Sequence, residues 1–186
     1  MVIEKIKAAA KQAASALSGR AGILNTLEGE HAEVTALLDE ILSASSITKA
    51  ADDHYAAMRR KLLIHLRAEQ EVLYPACEAR PKTAVAVAGS RSEHQAVEDV
   101  VQELDRTSMD SPRWREQLQQ LRQLVQAHVR EEEDVLFAQC EEAFESRELR
   151  DLDRAYDEAK DRHHATISDA GVSHGPGARH IPPPRA

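Results

Sequence analysis

The sequence predicts an all-α protein built on an antiparallel up-down-up-down four-helix bundle, with an extra helix at each end. Three observations support this fold class. Ala, Leu, Val, Glu, Gln and Arg fill most of the 186 residues, and Gly and Pro are scarce before residue 170, as expected of helices. Apolar residues recur at steps of three and four along long segments. Short loops join these segments, which places consecutive helices side by side in opposite directions.

Six helices follow from this period. They are predicted over residues 2–18, 22–44, 48–79, 83–107, 112–144 and 147–168. The first is an alanine-rich run after Ile3 and Ile6. The second carries apolar residues from Leu24 to Ile41 and ends at the turn SASSIT. The third ends just before Pro81, where a helix stop costs little.

Sequence features also support the three later helices. The fourth has a valine-rich stripe that includes Val87 and Val101. The fifth begins at the letters MDSP, where Asp110 or Ser111 caps the helix and Pro112 takes its first position. The sixth is charged on all but one side and is expected to pack on the bundle or on a partner. The expected units are an N-terminal helical extension (1–21), the bundle (22–144), a C-terminal helix (145–169) and a Gly- and Pro-rich flexible tail (170–186).

Composition restricts the function. The formal net charge of −8 and the pI of about 5.6 argue against nucleic-acid binding as the main role. No run of apolar residues is long enough for a transmembrane helix, so no membrane insertion is expected. The N-terminus is a poor secretory signal. Two cysteines make no disulfide framework, which favours the cytoplasm.

A repeat of 63 residues relates the polar residues on the helix faces that are expected to point to the bundle centre, here called the inward stripes. His31, His65 and Glu69 recur as His94, His128 and Glu132, and the letters HLRAEQEVLYPACE recur as HVREEEDVLFAQCE. Each unit is a helical hairpin. Two hairpins related by a pseudo-two-fold axis would turn their polar sets toward each other at one level of the bundle.

These residue types suit a metal. In HxxxE on a helix the two side chains lie one turn apart on the same face and can reach one ion. Imidazole and carboxylate together suit iron, manganese or zinc. Without a cation, two buried carboxylates would repel and one would take up a proton. Satisfied core polar residues are the structural alternative, but six positions in register favour a dinuclear metal site.

This pattern resembles the hemerythrin-like family, the HHE cation-binding domains, whose pattern is H…HxxxE…H…HxxxE on a four-helix bundle. The resemblance covers residues 22–144 and includes the letters EQEVLYP and EEEDVLF. It implies a non-haem diiron centre, oxo- or hydroxo-bridged, in which zinc or manganese could replace iron. By analogy the bridging carboxylates are Glu69 and Glu132, with His31 and His65 on one iron and His94 and His128 on the other.

Two further residues are candidates. Oxygen-carrying members of the family have another histidine where this chain has Glu98, in HQAVE. Glu98 as a ligand would favour the ferric state over reversible oxygen carriage, and its repeat counterpart Thr35 would make the two metals inequivalent. The alternative is a solvated surface charge. Tyr55 lies on an inward stripe and is expected to be a core residue with a hydrogen-bonded hydroxyl, the alternative being a phenolate ligand or a redox role.

Other reactive side chains are assigned structural roles. Tyr74 and Phe137 are repeat equivalents and are interpreted as packing residues. Cys77 and Cys140 are also equivalent, and buried thiols are favoured over a redox-switchable disulfide. The remaining histidines are interpreted as surface residues: His54, His163, His164, His174 and His180.

The leading functional hypothesis is a cytoplasmic diiron protein that binds or reacts with O2, peroxide or NO, in oxidative or nitrosative stress response or in sensing. Whether it consumes peroxide or NO as an enzyme stays open. The alternative is a metal- or oxygen-responsive regulatory module without turnover, acting on a second copy or a protein partner through its terminal helices. A ferritin-like oxidase and a metalloprotease are disfavoured, because no inward Glu-x-x-His and no HExxH occur.

Overall fold

The computed structural model describes residues 19–44 and 48–167. This part of the chain is helical and contains no strand, which confirms the all-α prediction. The predicted helix 2–18 and the tail 170–186 lie outside the described residues. The elements are α1 (Ile23–Ser43), α2 (Lys49–Glu78), α3 (Ala84–Arg106), α4 (Pro112–Glu131), a π-helical turn (Glu132–Leu136), α5 (Phe137–Ala143) and α6 (Ser146–Thr166).

Side-chain caps fix where the helices begin. The Thr48 hydroxyl accepts a hydrogen bond from the Ala51 N–H at the start of α2. Ser111 does the same for the Trp114 N–H at the start of α4, with Pro112 as the first helical residue. Ser111, and not Asp110, is therefore the cap. Each such bond satisfies one backbone donor that the helix itself leaves unpaired.

The last long helix differs from the prediction. Residues 112–144 were expected to form one continuous helix, but a π-helical turn separates α4 from α5. In this turn the Phe137 N–H donates to the Glu132 carbonyl, five residues earlier, and the Arg20 guanidinium donates to the Glu133 carbonyl at 2.7 Å. The repeat aligns residues 128–141 with residues 65–78 of the continuous helix α2 without a gap, so the sequence pattern could not reveal this turn. Such turns are frequent at functional sites.

Helices α1 to α4 surround one central axis. α1 contacts α2 and α4, and α3 contacts the same two helices. Helices α1 and α2 run in opposite directions: Glu30 of α1 meets His65 of α2, whereas Glu33 meets Lys61. Helix α6 packs across α1 and α2. The centre of the molecule is therefore enclosed on all sides by helix.

The apolar core is divided into two clusters. One lies around Tyr55, Met58 and Trp114, and the other around Leu27, Tyr74 and Phe137. The buried histidines and glutamates occupy the level between them. Apolar packing above and below thus holds a polar layer in the middle of the bundle.

Candidate metal centre

Six buried side chains meet in this polar layer. None is more than 4% exposed, and all four helices around the axis, together with the π-helical turn, contribute to the layer. Two overlapping groups have ligand atoms within 4.8 Å of one another: His31, His65, His128 and Glu132 form the first, and Glu69, His94, His128 and Glu132 form the second. The structure therefore brings both repeat units to one site.

The two carboxylates lie between the two hairpins. Glu69 Oε2 is 3.5 Å from His65 Nε2 and 3.4 Å from His94 Nε2. Glu132 Oε2 is 3.5 Å from both His31 Nε2 and His128 Nε2. Each carboxylate thus has one histidine of each repeat unit beside it.

The histidines form two close pairs. The ring centroids of His31 and His65 are 4.9 Å apart. Those of His94 and His128 are 4.6 Å apart, with their Nε2 atoms separated by 3.1 Å. His31 and His128 are farther from each other, at 6.0 Å. The rings therefore divide into one pair per hairpin.

A second set of residues orients the histidine rings, and it follows the same repeat. Glu30 Oε2 is 3.1 Å from His65 Nδ1, and the repeat-equivalent Glu93 Oε2 is 3.1 Å from His128 Nδ1. An N–H at Nδ1 donates to the carboxylate, so Nε2 keeps a lone pair that points into the layer. This is how carboxylates commonly orient metal-binding histidines.

The other two histidines are held by residues that directly follow the buried glutamates. His31 Nδ1 is 2.8 Å from Glu133 Oε1. Its repeat counterpart, His94 Nδ1, is 3.2 Å from the side-chain amide of Gln70. The two hairpins therefore differ here, since one ring meets a carboxylate and the other an amide. Sequence reasoning missed all four orienting residues, although they obey the 63-residue spacing and adjoin the ligand-type residues.

Helix α6 adds to one side of the site only. The Tyr156 hydroxyl donates to Glu30 Oε2 at 2.6 Å and lies 3.2 Å from His65 Nδ1. Lys160 Nζ donates to Glu30 Oε1 at 2.8 Å. Burial opposes ionisation of Glu30, but the interactions with His65 and Lys160 outweigh it and hold the pKa well below its usual range. Glu30 is thus a fixed negative charge behind His65.

Tyr74 belongs to the site as well as to the core. Its hydroxyl donates to Glu132 Oε1 at 2.8 Å and lies 2.7 Å from His94 Nε2. The sequence analysis interpreted it as a packing residue only. A signal was present, because its repeat equivalent Phe137 has no hydroxyl, and a polar atom at one of two equivalent buried positions needs a partner.

The protonation of the layer is uneven. Burial and the negative charge of Glu132 raise the pKa of Glu69 well above its usual value. Burial lowers the pKa of His31, but Glu132 and Glu133 outweigh it and raise the pKa from 6.5 to about 9. Burial and the neighbouring His128 lower the pKa of His94 to about 2. In the absence of metal, His31 therefore carries an added proton at neutral pH, and the carboxyl of Glu69 is harder to ionise than an ordinary one.

Comparison with known proteins decides the family. The family model described as the hemerythrin HHE cation binding domain matches residues 22–140. The chain belongs to the hemerythrin HHE family. The matched range includes all six residues of the layer, so the buried cluster of histidine and glutamate lies within the part of the chain that matches a cation-binding domain.

Two relatives extend the comparison. The crystal structure of an HHE cation-binding domain-containing protein from Mycobacterium kansasii superposes with a TM-score of 0.68 at 22% identity, over 79% of this chain and 90% of that one. It supports the fold. A protein of Nostoc sp. named DNA nickase is 26% identical over 119 residues, which are 62% of this chain and 32% of the relative. The HHE chain thus matches about a third of that protein.

The atoms of the HHE site suit a cation. His31 Nε2, His65 Nε2, both carboxylate oxygens of Glu69 and Glu132 Oε2 are buried without a hydrogen-bond partner in the described structure. Buried polar atoms without partners are costly. Nitrogen and carboxylate oxygen are the donors that iron, zinc and manganese accept in proteins. The orphaned atoms therefore fit a bound metal.

Two predicted site residues of the HHE domain lie apart from this cluster. Glu98 belongs to neither group of ligand atoms; its carboxylate lies 3.8 Å from Arg67 Nε and is 21% exposed. The Tyr55 hydroxyl donates to Asp105 at 3.1 Å, and its ring packs edge-on against Trp114. Burial and the Asp105 charge raise the pKa of Tyr55, which disfavours a phenolate there.

The other histidines of the HHE chain lie away from the layer. His54 was predicted to be a surface residue, but it is buried, at 7% exposed, and lies 3.9 Å from Glu40. His163 lies on the surface, 2.9 Å from Glu71. His174 and His180 lie outside the described residues. In the part of the chain that the structure describes, no helix is long and apolar enough to cross a membrane.

Proposed function

We propose that this chain is a non-haem diiron protein that binds or reacts with small oxidants: O2, peroxide or NO. One observation carries the proposal, namely the convergence of four imidazoles and two carboxylates, buried and partly unpaired, between two repeat-related hairpins. Two overlapping groups of ligand atoms suit two ions better than one. We assign the protein to the cytoplasm and to oxidative or nitrosative stress, and we infer that helices α1 to α4 form an up-down-up-down bundle.

The ligands divide naturally between two irons. His31 with His65 would hold one ion, and His94 with His128 the other. The positions of Glu69 and Glu132, each with one histidine of either pair beside it, support bridging roles. Glu98 is left out of this set, because its carboxylate lies beside Arg67.

The chain contributes more than ligands. Bound iron would supply the redox chemistry and a coordination position for the oxidant. Glu30, Glu93 and Glu133 hold protons on the outer nitrogens of three histidines and fix their orientation. The apolar clusters on both sides keep bulk water out of the layer. The Tyr74 hydroxyl is a proton donor already hydrogen-bonded to Glu132.

Optical spectroscopy of the iron-loaded protein tests this proposal. We expect charge-transfer absorption that changes on adding azide or peroxide. His65→Gln should lose these bands, whereas His54→Gln, a matched control outside the layer, should keep them. A colourless protein with only traces of iron, purified from iron-rich medium, would contradict the proposal.

A regulatory module without turnover is the second candidate, and one observation favours it. Tyr156 of α6 reaches the residue that orients His65, so a change at the metal could alter how α6 packs. If this role is correct, the oligomeric state or the protease sensitivity of the protein should change when iron is bound and when oxidant is added. Identical behaviour in all states would argue against this role.

We do not extend the activity named for the Nostoc relative to this chain. The matched region is 32% of that protein, and the formal net charge of −8 does not favour a polyanionic substrate.

A further inference from the structure

Cys77 and Cys140 form a close pair of thiols. Both are free cysteines, and their Sγ atoms are 3.5 Å apart. They are repeat equivalents, which places one on α2 and the other on α5, each the same number of residues after a buried glutamate. A disulfide requires an S–S distance of about 2.05 Å, so closure needs the sulfurs to approach by about 1.5 Å.

The pair is closed to the solvent. Both residues are 0% exposed and lie in the apolar cluster that contains Tyr74 and Phe137. A bulky disulfide or alkylating reagent cannot reach either sulfur in the folded protein. Oxidation of these thiols must therefore come from inside the protein or from a very small molecule.

The metal layer lies about two helical turns before the thiols along the chain. Cys77 follows Glu69 by eight residues, and Cys140 follows Glu132 by eight, which corresponds to about 12 Å along a helix axis. Tyr74 lies between the two levels, one turn before Cys77, and its hydroxyl reaches Glu132. Long side chains on a helix point toward its N-terminus, so the Tyr74 side chain extends from a position one turn before Cys77 to the ligands.

We propose that Cys77 and Cys140 are a redox-active dithiol that supplies two electrons for reduction of a peroxide at the metal centre. This rests on the function proposed above. Two S–H bonds and the peroxide O–O bond break, and one S–S bond forms between α2 and α5. The sulfurs are oxidised, the two peroxide oxygens are reduced, and both thiol protons end on those oxygens. Hydrogen peroxide thus gives two waters and one disulfide per chain.

The local charges agree with this assignment. Hydrogen bonding from Cys140 lowers the pKa of the Cys77 thiol despite burial, with Thr83 and Arg80 assisting. The same contact, with burial, raises the pKa of Cys140. Cys77 is therefore the sulfur that loses its proton first, and Cys140 stays protonated as its partner.

A stoichiometric oxidation experiment tests the inference. Iron-loaded full chain receives one equivalent of hydrogen peroxide, is quenched in acid, and is unfolded and alkylated with N-ethylmaleimide. Intact mass spectrometry then counts free thiols. We expect more than half of the chains to carry no alkyl group and to contain a peptide cross-linked through Cys77 and Cys140. Metal-free protein under the same conditions should stay doubly alkylated.

The controls separate this inference from the proposed function. Cys140→Ala should keep the azide-sensitive spectrum but form no disulfide. Peroxide consumption by iron-loaded protein with both thiols still free would overturn the dithiol role and leave the diiron proposal standing. Disulfide formation at the same rate without metal would overturn the route through the metal. A protein that neither consumes peroxide nor forms the disulfide would contradict both.

Discussion

Replacing Glu69 by Met should change stability in opposite directions without and with metal. Glu69 is fully buried, its two carboxylate oxygens have no hydrogen-bond partner, and its pKa is raised well above normal by burial and by Glu132. An unpaired buried polar group costs about 1–3 kcal/mol. Met is similarly unbranched and has no such group, so the metal-free variant should gain about 1–3 kcal/mol, or about 2–12 °C in Tm.

With iron bound, the wild type should instead be more stable than the Glu69→Met variant. A metal at 1,000 times its Kd stabilises the wild type by about 4.1 kcal/mol, which exceeds the gain of about 1–3 kcal/mol expected for the metal-free variant, and the variant lacks one ligand of the centre. Thermal unfolding followed by circular dichroism, in chelator and in anaerobic Fe(II), measures both effects. Glu71→Met is the matched control on the same helix: its carboxylate is 42% exposed in a surface pair with Arg162, which is worth about 0–1 kcal/mol.

Two results would refute this reasoning. One is a metal-free Glu69→Met protein that is less stable than the wild type by more than the Glu71→Met control. The other is an equal stabilisation of the variant and the wild type by iron, which would mean that Glu69 does not bind it.

Three further predictions concern the surroundings of the site. Tyr156→Phe removes a donor to Glu30 and should weaken metal binding about 10-fold in a chelator competition, whereas unchanged affinity would make Tyr156 a packing residue only. Metal binding at pH 7 should release a proton from His31, whose pKa is raised to about 9, so affinity should rise between pH 7 and 9. The raised pKa of Glu69 acts in the same direction. Calorimetry in two buffers counts the protons, and no release would contradict the raised pKa of His31. Glu98→Ala should leave the iron content and the optical spectrum unchanged, since Glu98 lies beside Arg67. Loss of iron from this variant would indicate that Glu98 is a ligand.

The repeat made the histidine and glutamate residues of the buried layer predictable. Helical period placed His31, His65 and Glu69 on inward faces, and the 63-residue shift placed their equivalents opposite. Side-chain spacing within a helix is fixed by local geometry, so these positions did not depend on details of packing. The orienting residues, such as Glu30 and Glu93, followed the same shift and could have been found from it.

Other features depend on contacts between distant segments. Tyr156 reaches Glu30 across 126 positions in the chain, and no local pattern reports where α6 packs. The position of Glu98 was ambiguous for a related reason: it lies one turn after His94, yet its side chain meets Arg67 of α2. The π-helical turn that begins at Glu132 was hidden because the repeat aligns this segment with the continuous helix α2 without a gap.

The iron content at saturation tests the central claim most directly. Metal-free protein is titrated anaerobically with Fe(II), freed of excess metal, and weighed by native mass spectrometry. The two overlapping groups of ligand atoms predict two irons per chain at saturation. No species with more than two irons should be populated. Saturation at a single iron per chain, or no retained iron, would contradict a dinuclear centre.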